Sequence, residues 1–229
     1  TQSEIIRKTS LEFSETFSKI CDAKVFLKNE YEQKTGSFKI RGAYYKIKSL
    51  TNEQKSKGVV AASAGNHSQG VAFASNIENI PCTIVMPRTA SPAKVAATKS
   101  YGAKVVLEGS TYDESWDHAQ KISTETNATV IHAFDDSNVI AGQGVIGLEI
   151  MEELPDVDEI YVPIGGGGLV AGIITAVKEK HPHVKIIGVE SSAYPAMKKS
   201  LENNSLETVS GDTTIADGIS VKTPGKLTF

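Results

Sequence analysis

Two features carry residue types able to do chemistry: four consecutive glycines, Gly165, Gly166, Gly167 and Gly168, and a lysine, Lys39, behind a short polar loop. The glycines follow the apolar run EIYVPI (159–164) and lead without spacer into LVAGIITAVKEK, so a predicted strand, loop and helix meet at bare amides. Glycine lets the backbone approach a ligand closely, and the unpaired N–H groups and dipole of a helix start favour an anion, which points to a phosphate. The Lys-Ser/Thr pair of a nucleotide P-loop does not follow these glycines. The phosphate expected is therefore that of a phosphorylated organic cofactor, not of a magnesium-bound nucleoside triphosphate.

Lys39 comes just after Thr35-Gly36-Ser37, at the start of the predicted helix KIRGAYYKI. A lysine near a helix N-terminus is discouraged from protonation, and burial lowers its pKa further, which makes a Schiff-base amine. An isolated lysine is ordinarily a solvated surface charge, so both readings stand for this residue alone. In SAGNHSQGVAFAS (63–75), Ser63, Asn66 and His67 gather at another predicted helix start. Exposed amides there suit a small carboxylate, and plain N-capping by Ser63 or Asn66 accounts for the same residues equally well.

Other patterns are set aside. Gly142-Gln143-Gly144-Val145-Ile146-Gly147 matches GxGxxG literally, but DDSNVIA before it is no strand and no acidic residue ends the next one, so small residues for close helix packing are expected. His118, His132, His181 and His183 show no metal-ligand spacing, and no metal site is expected.

The elements that must hold these residues follow from period. Short β-branched runs alternate with amphipathic stretches, the rhythm of βα units around mostly parallel sheets, and the fold class is α/β. Predicted strands are 23–28, 58–62, 82–87, 103–109, 129–134, 159–164 and 184–190. Ser91-Pro92 and the Thr111/Glu114 capping-box pattern mark two helix starts.

Composition narrows the function classes. A net charge of −3 over 229 residues offers no basic face for nucleic acid. Cys21 and Cys82 are too far apart for a CxxC pair and are expected as reduced core thiols in a cytoplasmic protein. The opening TQSEIIRKTS has no apolar run behind basic residues, so no secretory signal is expected. Residues 160–177 are uncharged over 18 positions, long enough to suggest a membrane span, but they contain Pro163 and five glycines and are assigned to the strand, loop and helix above.

Jointly, SFKIRGA around Lys39, SAGNH at 63–67 and GGGGL at 165–169 resemble, in type and order, the fold-type-II pyridoxal-phosphate enzymes, and within them the threonine/serine dehydratase group. TIVMP, HAFDD, AGQG, GVE and TIADGISV extend the resemblance over nearly the whole chain. The resemblance implies two domains of open, twisted, mostly parallel sheets: a large, discontinuous one of residues 1–40 plus 142–229, and a small one of 41–141. It implies pyridoxal 5'-phosphate joined to Lys39 as a Schiff base, with Phe38 packed by the ring, Asn66 bonded to the ring hydroxyl and Gly165 to Leu169 on the phosphate. It also implies that Ser63, Ala64, Gly65, Asn66 and His67 bind the carboxylate of a small amino-acid substrate. The implied chemistry is α,β-elimination, converting L-threonine to 2-oxobutanoate or L-serine to pyruvate, with release of ammonia, in a cytoplasmic homo-oligomer.

Departures separate the relatives. The racemase branch carries a serine at the place of Ala64, and a methyl group has no proton to give. Glu190 matches the first ligand of the racemase-type metal site, but Ala196 stands where its carboxylate partner is expected. A serine racemase, a β-replacement enzyme such as a cysteine synthase, or a silent binding domain of the same fold remain the alternatives. The relatives continue past TIADGISVKTPGKLTF and supply there a residue facing the ring nitrogen; the chain is therefore expected to be short at its C-terminal end and to expose apolar surface.

Overall fold

The computed structural model describes residues 5–229. At its centre is a parallel four-stranded sheet of β3 (Val59–Ala62), β4 (Cys82–Met86), β5 (Lys104–Leu107) and β6 (Thr129–Val130), in the order β5-β4-β3-β6. Val59 stands between Cys82 and Thr129 in register. β3 is buried on both faces, as expected of a parallel strand covered by helices on either side. Its alternation assigns the layers. Val59 and Ala61 join Ile84 and Met86 under α2 (Lys39–Lys48) and α4 (Asn66–Ile77), whereas Val60, Ala62 and Val85 face Ala119 and Trp116 of α6 (Tyr112–Thr126).

A second parallel pair, β7 (Glu159–Pro163) and β8 (Lys185–Val189), is covered by α7 (Ser137–Glu153) and α8 (Gly168–Lys178), with Ile146, Ile160, Val162 and Ile173 in one core. α2 packs against both α4 and α7 and so joins the two cores. The GxGxxG glycines are contact points between helices, as expected. A Cβ on Gly142 would lie 2.7 Å from the Arg41 carbonyl oxygen, and one on Gly144 2.7 Å from that of Gly172.

The helix starts follow the local signals. Ser91 accepts the Lys94 N–H before α5 (Pro92–Ser100), and Thr111 accepts the Glu114 N–H before α6. The Thr111 capping box is only half formed, because the Glu114 carboxylate accepts from Ser110 instead. The reciprocal box belongs to Thr51 and Gln54, which opens α3 (Asn52–Lys57).

Three expectations need correction. The strand expected over 129–134 keeps ladder pairing only at Thr129–Val130; beyond it the chain leaves the sheet to serve the site. The strand expected over 23–28 is confined to β2 (Phe26–Lys28), which pairs antiparallel with an unanticipated β1 (Leu11–Phe13). Cys82 is a core thiol, but Cys21 is exposed, because it ends α1 (Glu15–Cys21), a short helix with no buried residue. As expected, residues 160–177 divide into β7, the loop and α8, and no helix among the described residues is long and apolar enough to cross a membrane.

Candidate active site

The two candidate segments, 63–67 and 165–169, follow β3 and β7 at their carboxyl ends, where open parallel sheets place binding sites. β7 ends at Pro163, Gly165 to Gly167 turn the chain, and α8 begins at Gly168. Gly167 is the helix cap, with φ of +95°, a conformation that glycine alone adopts without strain. Among the described residues no side chain caps α8, which leaves its first amides available to an anion.

Lys39 opens α2, and its Nζ donates to the Ala133 carbonyl at 2.8 Å. It sits 5.4 Å from the centroid of the Phe38 ring. Burial lowers its pKa to about 8, so desolvation favours the neutral amine. Lys39, Phe38 and the loop from Gly165 to Leu169 line one cavity, together with Ala133, Phe134 and Gln143.

The second helix start is arranged differently from the capping reading. Gly65 is the cap of α4 and no side chain bonds there. Ser63 Oγ accepts the Gly65 N–H at 3.1 Å, and Asn66, the first helical residue, is exposed. His67 turns inward: Nε2 meets the Ile131 carbonyl at 2.9 Å, and the ring is 3% exposed. Since a carbonyl only accepts, Nε2 carries the proton and Nδ1 is left buried without a partner. Burial, then the charge of Lys39, pushes the pKa of His67 down to about 3, so the ring is neutral. The His67 side chain is thus committed to the core, and residues 63–67 do not line the cavity around Lys39.

The segment leaving β6 connects these parts. His132 Nδ1 accepts the N–H groups of Phe134 and Asp135 at 3.2 and 2.8 Å, and its ring lies between those of Trp116 and Phe134. Phe134 packs beneath Gly166 and Gly168. Asp136 caps α7 and pairs with Lys46 of α2 at 2.6 Å. Ala133 and Phe134 were not foreseen as site residues: a main-chain carbonyl leaves no mark in a sequence. Gln143 had a signal, a polar residue between two packing glycines. It is 1% exposed, and its Oε1 accepts the Gly42 N–H at 3.3 Å. Glu190 is occupied otherwise than as a metal ligand, accepting the N–H groups of Met197 and Lys198 at 2.8 Å each, at the start of α9 (Ala196–Asn203). Among the described residues no group of three His, Cys, Asp or Glu could hold a metal ion.

A buried amine for an aldehyde, an aromatic ring beside it and an uncapped glycine helix start for a phosphate share one cavity. The donor set fits a phosphorylated aldehyde cofactor. The model of the family described as pyridoxal-phosphate dependent enzymes matches residues 2–229, and the chain belongs to that family. Among its relatives is an L-threonine ammonia-lyase of Thermotoga maritima, 52% identical over all 229 residues and covered over 57% of its own length. Among solved structures, a processed threonine deaminase of Solanum lycopersicum superposes with a TM-score of 0.95 at 41% identity, over 98% of this chain and 62% of that one. A maize serine racemase superposes equally, with a TM-score of 0.95 at 36% identity, over 99% of this chain and 69% of that one. The chain therefore spans little more than half the length of that curated relative.

Proposed function

We propose that the chain is the cofactor-binding part of a pyridoxal-phosphate dependent threonine ammonia-lyase, which converts L-threonine, and L-serine more slowly, to the 2-oxo acid and ammonia by α,β-elimination. The observation that carries the reading is the buried Lys39 amine in one cavity with the uncapped glycine loop. The 52% identity to an L-threonine ammonia-lyase supports the substrate.

In this reading the cofactor supplies an electron sink for the bond broken at Cα. Lys39 holds it, then takes the Cα proton on Nζ, a role open to an amine whose pKa burial brings down to about 8. The Ala133 carbonyl gives that amine a fixed resting place. The first amides of α8 hold the phosphate with Gly165 to Leu169, and Phe38 packs by the ring. Ser63 to His67 hold the substrate carboxylate through the free start of α4, with His67 contributing main chain only, and Asn66 reaches the ring hydroxyl. Ala64, with no proton to donate, disfavours racemisation.

Residues 1–40 with 142–229 form the large domain and 41–141 the small one, a division supported by the two cores meeting at α2. The protein works in the cytoplasm as a homo-oligomer. Incubation with pyridoxal phosphate and L-threonine should yield 2-oxobutanoate, and Lys39→Ala should abolish it while retaining the fold. Formation of D-serine from L-serine at a comparable rate would instead favour a racemase, and product only in the presence of sulfide a β-replacement enzyme.

A further inference from the structure

The glycine loop is held from behind by a distant part of the chain. The Gly166 carbonyl accepts the Thr228 hydroxyl at 2.6 Å and the Gly225 N–H at 3.1 Å. The segment carrying these donors is itself fixed, because the Asp135 carboxylate accepts the N–H groups of Lys226 and Leu227 at 3.0 and 2.8 Å. A trans peptide is planar, so its C=O and N–H point in opposite directions. With the Gly166 oxygen turned toward Thr228, the Gly167 N–H is turned away from it; Gly166 and Gly167 line the cavity that holds Lys39, and Thr228 is not among its lining residues.

We infer that Thr228 is a positioning residue of the anion site: its hydroxyl sets the Gly166–Gly167 peptide so that an N–H, not a carbonyl, meets the phosphate. The inference rests on the phosphate reading proposed above. The loop needs such a device. A peptide between two glycines meets little steric resistance to flipping, and a flipped peptide would present oxygen to an anion. Gly225 assists through its own amide, but the hydroxyl is the only side-chain donor among the described residues that reaches the Gly166 oxygen.

The test compares pyridoxal phosphate with pyridoxal, which lacks the phosphate, by equilibrium binding to the protein and its variants. Thr228→Val keeps the shape and removes the donor; it should weaken pyridoxal phosphate about fivefold and pyridoxal less than twofold. Thr228→Ser should restore wild-type affinity for both. The phosphorus resonance of bound cofactor should move in Thr228→Val and return in Thr228→Ser. Equal losses for the two ligands, or no loss for either, would overturn the role of Thr228. Gly167→Ala separates this from failure of the underlying reading. If Gly167→Ala discriminates the ligands and Thr228→Val does not, only Thr228 is wrongly assigned; if neither discriminates, the loop does not hold phosphate.

Discussion

At the scale of single residues, Lys39 differs from a surface lysine in where it is kept. An ammonium there has lost its water and has gained one carbonyl, that of Ala133, and among the described residues no carboxylate is hydrogen-bonded to it. The sign of the pH dependence follows. With a folded pKa of about 8 against 10.5 unfolded, the unfolded chain binds the extra proton between those values, so Lys39 makes stability rise with pH across that window. Below pH 8 both states are protonated, and the penalty is constant at about 3 kcal/mol, at roughly 1.4 kcal/mol per pH unit. Lys39→Met should therefore stabilise the cofactor-free protein at pH 7 by up to that amount, and the gain should shrink toward pH 10.5. Urea unfolding of both proteins at pH 7, 9 and 10.5 checks it; a gain independent of pH would contradict the buried amine. Lys39 and the glycines were legible because each announces itself within ten residues of sequence. The inward turn of His67 was not, because its partner, the Ile131 carbonyl, lies 64 residues away.

At the scale of elements, the sequence rhythm located the strands but not their ends. β6 is cut to two residues because Ile131 to Asp136 are drawn into contacts with His67, Lys39 and α7, competitors that no strand propensity registers. β1 is three residues long, too short for any period to show. The helix packing was legible in kind, since small residues at GxGxxG spacing without a strand before them suit close contact, but the partners, α2 and α8, emerge only in three dimensions. A prediction belongs here. Gly144→Ala places a methyl 2.7 Å from the Gly172 oxygen, backbone against backbone, where nothing flexible can yield. The cost should be about 1–3 kcal/mol of overpacking, read as a lower unfolding midpoint. Because α8 carries the glycine loop at its start, cofactor affinity should fall as well, and an unchanged affinity would mean that α7 alone absorbs the strain.

At the scale of the whole molecule, the two cores are held in relation by charge as well as by packing. Arg41, two residues beyond Lys39 on α2 and 3% exposed, pairs with Glu30 at 2.8 Å and with Glu149 of α7 at 2.7 Å, and Lys28 joins Glu149 at 2.9 Å. One side chain thus ties the N-terminal segment, α2 and α7 together. Burial alone would raise the pKa of Glu149, but hydrogen bonds from Arg41 and Lys28 overcome it and hold it below the usual 4.5. A depressed carboxylate adds stability that is present above pH 4.5 and lost as the pH falls through its folded value. Arg41→Met takes away the cation and leaves two carboxylates buried with Lys28 as the remaining cation bonded to Glu149, which should cost about 3–5 kcal/mol at pH 7. Arg41→Lys should recover only part of that, because an ammonium cannot reproduce the paired contacts that the guanidinium makes to Glu30 through Nε and Nη2 and to Glu149 through Nη1 and Nη2. In Arg41→Met the Glu149 carboxylate loses the Arg41 hydrogen bonds that favour its ionised form, so its protonation costs less and the deficit should narrow from pH 7 to pH 4. A deficit that instead stays constant over that range would mean that Arg41 contributes through the packing of its stem, and that the two cores meet by shape alone.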